Sequence, residues 1–399
     1  MQQHDVDVLI SGGGVAGLTA AAAFGAAGFR TLCVDPAPPV TNEAASGADL
    51  RSTAFLQPSI AVLEQAGLWA RLAPHASALQ VMRIIDAGGP QPTVRLKRDF
   101  DAADISDQPF GWNLNNWLLR RELVAHLADQ PGVTFLPGVA TRDVIARDDA
   151  ALVRLSDGRQ IRARLLVAAD GRESPVRKAL GIGVQRTSYG QKALAFSVSH
   201  PLPHDNVSTE IHRSGGPFTL VPLPDRDGCH ASAVVWMERG PEAMHLAALP
   251  RAEFEAALLE RSCAILGPLS LLTERAVWPI IAQRADSLTA PRVALIAEAA
   301  HVAPPIGAQG LNMSLADLGG LIALARRNPE QLGQPGMLDA WARTRETDIR
   351  LRLAGIDMLN RTSMLAPQPL RDLRAGALGV LYGIGPVRRA LMRAGLGLR

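Results

Sequence analysis

Lysine, cysteine and long apolar runs are scarce in this chain of 399 residues. Lys97, Lys178 and Lys192 are the only lysines, so arginine carries most of the basic charge, which we interpret as genome composition. The three cysteines are scattered and odd in number, which favours a reducing compartment and predicts no metal site. The longest apolar stretches, 18–29 and 375–387, are too short to span a bilayer.

Charge and length exclude further classes. The formal net charge is only +3, so charge does not predict a nucleic-acid partner. Asp5 and Asp7 lie near the start and no basic segment precedes them, which argues against a secretory signal and predicts a cytoplasmic protein. At roughly 150 residues per domain, the length predicts two or three structural units. An apolar share of 47% is enough to build a large core.

The N-terminal residues carry a dinucleotide-binding pattern. Residues 6–11 (VDVLIS) have strand character, GGGVAG follows at 12–17, and an alanine-rich helical pattern covers 18–28. A second strand candidate at 30–34 ends at Asp35. This order of strand, G-x-G-x-x-G, helix, strand and acid predicts a nucleotide site, but it does not choose between NAD and FAD.

Each residue type in this pattern has a physical reason. Gly12 permits a tight turn, Gly14 lets the backbone approach a pyrophosphate, and Gly17 lets the helix pack against the strand. The first helical turn, which includes Ala16, presents free N–H groups and a partial positive charge to the phosphates. Asp35 is placed to accept hydrogen bonds from a ribose diol and would repel a 2′-phosphate.

Two later motifs follow buried strand patterns. Residues 165–177 read LLVAADGRESPVR, so a strand leads into Asp170 and Gly171. Residues 293–320 read VALIAEAAHVAPPIGAQGLNMSLADLGG, so a second strand leads into Glu298 and then a Pro-Pro turn. A glycine loop at 307–310 and a helix beginning near Leu311 complete this motif. His301 is a lone histidine after a strand, which favours a structural role over catalysis.

Together the three motifs resemble the FAD-dependent aromatic hydroxylases of the para-hydroxybenzoate hydroxylase type, over the whole chain and in the same order. The resemblance implies that an extended FAD is held by all three motifs. It places Glu298 at the ribityl or phosphate region and the following loop and helix against the flavin ring. The residues so implied, beyond the first motif, are Asp170, Gly171, Glu298, Pro305, Gly307, Gly310, Leu311 and Asn312.

Two arginines match the same family pattern. Arg51 lies in ADLRSTAF and Arg120 in NNWLLRREL. The resemblance places arginines here against the FAD phosphates or ribityl chain, and Arg121 is an alternative to Arg120. One departure is that the family usually has Gly-Asp where this chain has Ala297-Glu298. The carboxylate is kept, but it is one methylene longer.

The rest of the chain predicts a second unit and a helical tail. Strand patterns at 194–198, 218–223 and 231–237 are separated by turn residues. We therefore expect an α/β fold in which a Rossmann-like FAD-binding domain carries an inserted β-sheet substrate domain and a C-terminal helical segment. The FAD-binding domain is assigned to 1–78, 101–185 and 286–340, the substrate domain to 79–100 and 186–285, and the helical region to 341–399.

The middle and C-terminal segments narrow the resemblance to the ubiquinone-biosynthesis hydroxylases. YGQKALAFSVSH, Glu210, GGPFTLVPLPD and SAVVW are similar to the middle region of that branch, and the tail from Trp341 is similar too. From Arg350 onward the chain has nine arginines against Asp357 and Asp372. This basic helical tail is interpreted either as a cap on the flavin domain or as peripheral contact with anionic membrane at the inner membrane surface.

The predicted activity is hydroxylation of a phenolic ring with O2 and NADPH or NADH, through a flavin C4a-hydroperoxide, which requires no metal and no side-chain nucleophile. The implied substrate is an aromatic ubiquinone precursor with a prenyl tail. Two alternatives stay open: a hydroxylase of a soluble aromatic in catabolism or secondary metabolism, and a non-catalytic flavin-binding subunit of a quinone-synthesis complex. The sequence assigns no catalytic side chain.

Overall fold

The computed structural model describes residues 3–89, 91–213, 215–365 and 367–397. Its strands, in chain order, are β1 (Gln3–Ser11), β2 (Thr31–Asp35), β3 (Ser52–Leu56), β4 (Ser77–Leu79), β5 (Val81–Asp86), β6 (Leu96–Asp101), β7 (Gly111–Asn115), β8 (Val133–Pro137), β9 (Thr141–Ala146), β10 (Ala151–Leu155), β11 (Gln160–Ala168), β12 (Val184–His200), β13 (Val207–His212), β14 (Pro217–Arg226), β15 (Cys229–Arg239), β16 (Ser270–Leu271), β17 (Ala276–Ala285), β18 (Thr289–Ala290), β19 (Val293–Leu295) and β20 (His301–Val302). Its α-helices are α1 (Val15–Ala26), α2 (Gln57–Gln65), α3 (Trp69–Leu72), α4 (Asn116–Asp129), α5 (Pro175–Ala179), α6 (Gly240–Ala248), α7 (Arg251–Arg261), α8 (Ala297–Ala300), α9 (Gln309–Arg327), α10 (Pro335–Ser363), α11 (Gln368–Gly383) and α12 (Gly385–Leu396).

The first sheet has the strand order β18-β19-β11-β1-β2-β8, with β10 paired to β11 and β9 paired to β10. The strands β19, β11, β1, β2 and β8 pair in parallel. Val8, Leu9 and Ile10 of β1 are fully buried, as expected for a central parallel strand covered on both faces. The carboxyl ends of parallel strands meet at one edge of a sheet, so the segments after β1, β2, β11 and β19 converge there.

The second sheet has the order β20-β17-β12-β15-β14-β13-β5-β6 and two distinct faces. Phe196 and Trp236 share a hydrophobic core with Phe254 of α7 on one face. Ala193 and Met237, on the opposite face, belong to the core of the first unit. We call this opposite face the front face. The mixed architecture confirms the predicted α/β fold class.

A three-stranded sheet, β3-β7-β4, links the second sheet to α9. Asn113 of the central strand β7 donates from Nδ2 to the carbonyl of Pro222 on β14 (2.9 Å). The amide of Leu56 on the edge strand β3 donates to Oδ1 of Asn312 on α9 (2.9 Å). The small sheet therefore fixes the front face relative to the N-terminal end of α9. The predicted division into domains remains an interpretation of this sheet pattern.

The C-terminal helices α11 and α12, which we call the C-terminal hairpin, rest on the edge of the second sheet. Tyr382 donates its hydroxyl to the carbonyl of Asp99 on β6 (3.0 Å), and Arg388 forms an ion pair with Asp104 (3.1 Å). At the far end, the carbonyl of Gly395 accepts a hydrogen bond from Nε2 of Gln309 (3.0 Å). The hairpin thus reaches from β6 to the first turn of α9. No helix in the described ranges is both long and apolar enough to cross a bilayer.

Some element boundaries differ from those read from the sequence. Residues 57–72 form two helices, because Gly67 adopts φ +75° in the turn between α2 and α3. The helix α9 begins at Gln309, two residues before the predicted Leu311. The strand read as 194–198 lies in the C-terminal half of the 17-residue β12, whose pairing with β17 shifts register between Ser188 and Lys192.

Candidate active site

Three glycines of the predicted motif follow β1. At two of them the fold has no room for a Cβ atom, and at the third a Cβ atom would point into open space. A Cβ on Gly12, which has φ +114°, would lie 2.3 Å from the carbonyl oxygen of Ala169. A Cβ on Gly17 would lie 1.9 Å from the carbonyl oxygen of Gly12. Gly14 caps α1, and a Cβ there would meet nothing within 4 Å. Open space therefore adjoins the free amides of the first turn, including that of Ala16, with no acidic residue in that turn.

Asp35 ends β2 with its carboxylate turned to this glycine turn. Its Oδ2 accepts from the amide of Gly13 (2.5 Å), and its Oδ1 accepts from the amide of Ala37 (2.9 Å). The two amides fix the direction of the carboxylate. Each oxygen keeps a second lone pair, so the group can still accept hydrogen bonds from a diol.

Asp49 forms ion pairs with both predicted arginines, Arg51 and Arg120. This role was not predicted from the sequence. Arg51 donates to both carboxylate oxygens (2.7 Å each), while Arg120 lies 3.5 Å away. The Nδ2 of Asn116 also donates to Asp49 (3.1 Å). Burial alone would raise the pKa of Asp49, but the hydrogen bonds and positive charge of Arg51 outweigh burial and lower that pKa. Asp49 therefore stays an anion that holds both cations at one place.

The orientation of each arginine follows from its neighbours. The Arg51 guanidinium stacks 5.3 Å from the ring centroid of Trp278 on β17, so it connects the segment before β3 to the second sheet. Arg120, rather than Arg121, turns toward Asp49. Arg121 instead donates to Glu122 (2.8 Å) and stacks on Trp117 at 5.4 Å.

The Asp170-Gly171 turn closes the end of β11. Asp170 accepts from the hydroxyl of Ser174 (2.5 Å) and from the amide of Val176 (3.0 Å), and Gly171 has φ +87°. Burial raises the pKa of Asp170 despite these hydrogen bonds. The buried Arg177 donates to the carbonyl of Ala299 (2.8 Å), tying the turn to α8. Both Asp170 oxygens serve the turn itself, so a role for Asp170 in cofactor contact stays a prediction.

The departure at Ala297-Glu298 has a clear backbone consequence. Ala297 has φ +56°, a left-handed conformation that glycine adopts without strain. The Glu298 side chain is 56% exposed, and its carboxylate lies 3.8 Å from Nε of Arg172. The longer acid thus projects from the strand edge where the other motifs converge. The glycine that the family usually has at position 297 would adopt this left-handed conformation without strain.

The loop after β20, residues 304–310, carries the start of α9; we call it the Pro-Gly loop. The amide of Ile306 donates to the carbonyl of Pro304 (2.8 Å), and Gly307 and Ala308 both have positive φ. The unpaired amides of the first helical turn are those of Gln309, Gly310 and Leu311. A helix N-terminus of this kind stabilises negative charge placed before it.

Asn312 supports this loop from behind. Its Oδ1 accepts from the Leu56 amide (2.9 Å) and the Ser59 hydroxyl (2.6 Å). Its Nδ2 donates to the carbonyls of Ala54 (2.8 Å) and Ala308 (2.6 Å). Protein groups therefore occupy the Asn312 side chain. Contact with the cofactor stays a prediction for Pro305, Gly307, Gly310, Leu311 and Asn312.

These groups fit the parts of FAD. The open space at Gly14 suits a pyrophosphate, Asp35 suits the adenosine ribose, and Glu298 suits a ribityl hydroxyl. The buried Nε atoms of Arg120 and Arg172 have no hydrogen-bond partner among the described residues, so the site contains unused cationic donors. Such donors are costly to bury unless a ligand pairs with them.

Comparison with known proteins decides the family. The family model described as FAD binding domain matches residues 5–346. The chain belongs to this family. It is 33% identical over 98% of its length, and 89% of the relative's, to ubiquinone hydroxylase UbiL of Rhodospirillum rubrum. It is 26% identical to 3-demethoxyubiquinol 3-hydroxylase of Escherichia coli, over the full length of both. The protein is an FAD-dependent monooxygenase.

A solved structure agrees at the level of fold. The p-nitrophenol 4-monooxygenase PnpA of Pseudomonas putida superposes with a TM-score of 0.80 at 20% identity, covering 100% of both chains. Sequence and structure comparisons thus agree over the whole chain, including the C-terminal region that the family model does not reach. The predicted cofactor, FAD, and the predicted monooxygenase class are confirmed.

His301 of the monooxygenase is a buried structural residue. Its Nε2 lies 2.6 Å from Oδ2 of Asp317, and Arg345 donates from Nε to Oδ1 of the same carboxylate (2.8 Å). The His301 and Asp317 side chains are each about 1% exposed. Trp341 donates to the Asp317 carbonyl (2.9 Å). Through these hydrogen bonds, His301 connects the segment before the Pro-Gly loop to Asp317 of α9, and Asp317 connects to Trp341 and Arg345 of α10.

A second set of hydrogen bonds joins the Pro-Gly loop to the C-terminal hairpin. The Gln309 Nε2 donates to the carbonyls of Gly307 (2.9 Å) and Gly395 (3.0 Å). Its Oε1 accepts from Arg352 of α10 (2.8 Å). These contacts could not be predicted from the sequence, because the partners are 43 and 86 residues away. In the described ranges, no cluster of three or more His, Cys, Asp or Glu side chains could hold a metal ion.

Proposed function

We propose that this monooxygenase hydroxylates the ring of a ubiquinone precursor, a phenol or quinol that carries a prenyl tail. The observation that carries the proposal is the similarity to UbiL across 98% of the chain, substrate unit and tail included. The front face supports it, since the partly buried Val235 and the small Ala195 opposite it are typical of a surface that accepts an apolar ring.

The residues of the site have separable tasks. Bound FAD supplies the redox chemistry between NADPH or NADH, O2 and the ring. Asp49 holds Arg51 and Arg120 together, where they would pair with the phosphates, and Glu298 would accept hydrogen bonds from the ribityl chain. The amides of Gln309, Gly310 and Leu311 at the start of α9 would stabilise the negative charge that the ring gains on reduction. The front face and the C-terminal hairpin exclude water from the reacting ring.

Anaerobic and aerobic turnover tests this function. Purified FAD-loaded protein is mixed with NADH or NADPH and with phenols that bear zero, one or several isoprene units. We expect prenylated phenols to accelerate flavin reduction and to give a product heavier by one oxygen, measured by mass spectrometry. Turnover restricted to polar phenols without a tail would contradict the proposal and favour the soluble-aromatic alternative.

The C-terminal helices support peripheral contact with a membrane as part of this proposal. Leu351, Leu373, Leu391 and several other large apolar side chains between 351 and 391 are exposed. Exposed arginines, including Arg361 and Arg389, lie among them. An apolar helical surface edged by arginine matches the interface of an anionic bilayer, where apolar groups enter and guanidinium groups pair with lipid phosphates.

Co-sedimentation with vesicles tests the membrane contact. We expect FAD-loaded protein to bind vesicles that contain anionic lipid and to bind zwitterionic vesicles less. The double variant Leu373→Ser, Leu391→Ser should lose binding. Leu202→Ser is the matched control, because Leu202 is 51% exposed on another part of the surface. Equal binding by both variants would refute the assignment of this surface to lipid.

A further inference from the structure

Glu210 and His212 form a buried acid–imidazole pair on the second sheet, away from the cofactor motifs. The carboxylate Oε1 of Glu210 lies 2.7 Å from Nε2 of His212. The two side chains are 7% and 17% exposed. The other ring nitrogen, Nδ1 of His212, is buried and has no hydrogen-bond partner among the described residues. A buried ring nitrogen without a partner is costly unless a ligand uses it.

Strand register places this pair on the front face. Glu210 lies opposite Thr219 of β14, Thr219 opposite Val235 of β15, and Val235 opposite Ala195 of β12. Cross-strand partners share a face, and Val235 packs against the core of the cofactor unit. Glu210 and His212 are two residues apart in one strand, so both face the same side. At about 4.8 Å per strand, the pair lies about 10 Å from Val235.

The C-terminal hairpin and the small sheet both contact elements that border this region. The C-terminal hairpin contacts β6 through Tyr382 and the Pro-Gly loop through Gly395. The small sheet joins β14 to the same loop through Asn113 and Asn312. The hairpin and the Pro-Gly loop therefore border the part of the second sheet that includes β5 and β13.

Nearby charged groups are already paired. Asp86 lies opposite His212 on β5, and its carboxylate accepts from Nε and Nη2 of Arg95 (2.9 and 2.6 Å). Arg213, next along the chain, forms an ion pair with Glu260 (2.7 Å). On β14 the neighbours of the pair are Pro217 and Thr219, which carry no charge. The Glu210 carboxylate is thus the group that orients the imidazole.

We infer that His212, oriented by Glu210, accepts the proton of the substrate's phenolic hydroxyl; this inference rests on the proposed function. With Nε2–H donated to Glu210, Nδ1 carries the lone pair. The O–H bond breaks, its electron pair remains on the phenolic oxygen, and the proton forms a bond to Nδ1. The Glu210 carboxylate stabilises the imidazolium. The phenolate has a more electron-rich ring, which favours attack on an electrophilic oxygen, and the proton returns when product leaves.

The test measures ionisation of the bound phenol as well as turnover. A phenol with one isoprene unit is bound to oxidised, FAD-loaded protein, and the near-ultraviolet difference spectrum reports phenolate. We expect the phenolate signal in the wild type and its loss in His212→Asn and Glu210→Gln. Hydroxylation should fall by about 100-fold in both variants. Ring-fluorinated phenols, which ionise more readily, should restore much of the lost rate.

Controls separate this role from a structural one. His230→Asn is the matched control, because His230 lies on the same sheet 3.0 Å from Asp225 but is partly exposed. Glu210→Gln preserves the shape of the buried pair if His212→Asn does not fold. FAD content and reduction by NADH without phenol should be unchanged in all variants. Wild-type phenolate signal and rate in Glu210→Gln, or an equal loss for every phenol, would overturn the inference. A wild-type enzyme that hydroxylates no phenol would instead refute the proposed function.

Discussion

Replacing Asp317 by asparagine is expected to destabilise the monooxygenase by about 3 kcal/mol, because it removes the charge partner of a buried guanidinium. Asp317 is 1% exposed and Arg345 is 8% exposed, at 2.8 Å from each other. Breaking such a pair costs ~3–5 kcal/mol. The lower end applies because Arg345 keeps its second partner, Asp348, at 2.8 Å. His301 loses the carboxylate as well, so the segment before the Pro-Gly loop should loosen.

Urea unfolding followed by circular dichroism, at one fixed excess of FAD, measures this difference. Asp339→Asn serves as control, since Asp339 is exposed on the same helix as Arg345 and should change the unfolding free energy by less than about 0.5 kcal/mol. A cost for Asp317→Asn as small as that of the control would refute the reasoning about the buried charge.

The same variant has a defined pH dependence. Burial alone would raise the pKa of Asp317, but His301 and Arg345 outweigh burial and lower it. A lowered folded-state pKa contributes stability above the ordinary aspartate pKa, and that contribution is lost as the pH falls through the folded-state pKa. The difference between wild type and Asp317→Asn should therefore be constant near neutral pH and shrink below about pH 4. A difference that grows in acid would contradict this sign.

Two further predictions concern backbone geometry at the cofactor site. Gly14→Ala should weaken FAD binding by roughly tenfold or more while leaving FAD-free stability unchanged, because its Cβ meets only the open space at the helix terminus. Gly17→Ala should lose both FAD binding and stability, because its Cβ would lie 1.9 Å from a carbonyl oxygen. Fluorescence titration with FAD and thermal unfolding compare the two, and equal FAD affinity in Gly14→Ala and wild type would contradict the assignment. Ala308→Gly should stabilise the fold by roughly 0.5–1 kcal/mol, because the exposed Ala308 has φ +56°, which glycine adopts without strain. Ala299→Gly should destabilise it by about 1 kcal/mol or more, because Ala299 is buried in helix α8. Chemical denaturation measures both, and shifts of the same sign would count against the left-handed strain.

The N-terminal motif could be predicted because its chemistry is local. A short strand, three glycines and an acid occupy one continuous segment, and each has a single geometric purpose there. Gly12, Gly14 and Gly17 accordingly have the positions expected of them. The start of α9 was misplaced because Gly310 is a poor helix former, whereas the helix is set by the left-handed Ala308 and by the bonds of Asn312 to β3.

Residues that act through distant partners carried no such signal. Asp49 lies 71 residues from Arg120, so its role as their common anion depends on the packing of α4 against the loop before β3. The imidazole of His301 meets an acid 16 residues later and, through it, Arg345. Glu210 was visible only as part of a family-like segment. Its pairing with His212 follows from strand alternation, but the unpartnered ring nitrogen required the tertiary structure.

The parallel first sheet also constrains how this protein is made. The central strand β1 is synthesised well before its partner β11, which begins at Gln160, and before β19, which pairs with β11 and begins at Val293. Until those strands are made, the nascent chain exposes an unpaired strand edge, which is prone to misassociation. Because the amides of α9 appear only after Ala308, translation must pass this residue before FAD can meet all the segments that would hold it.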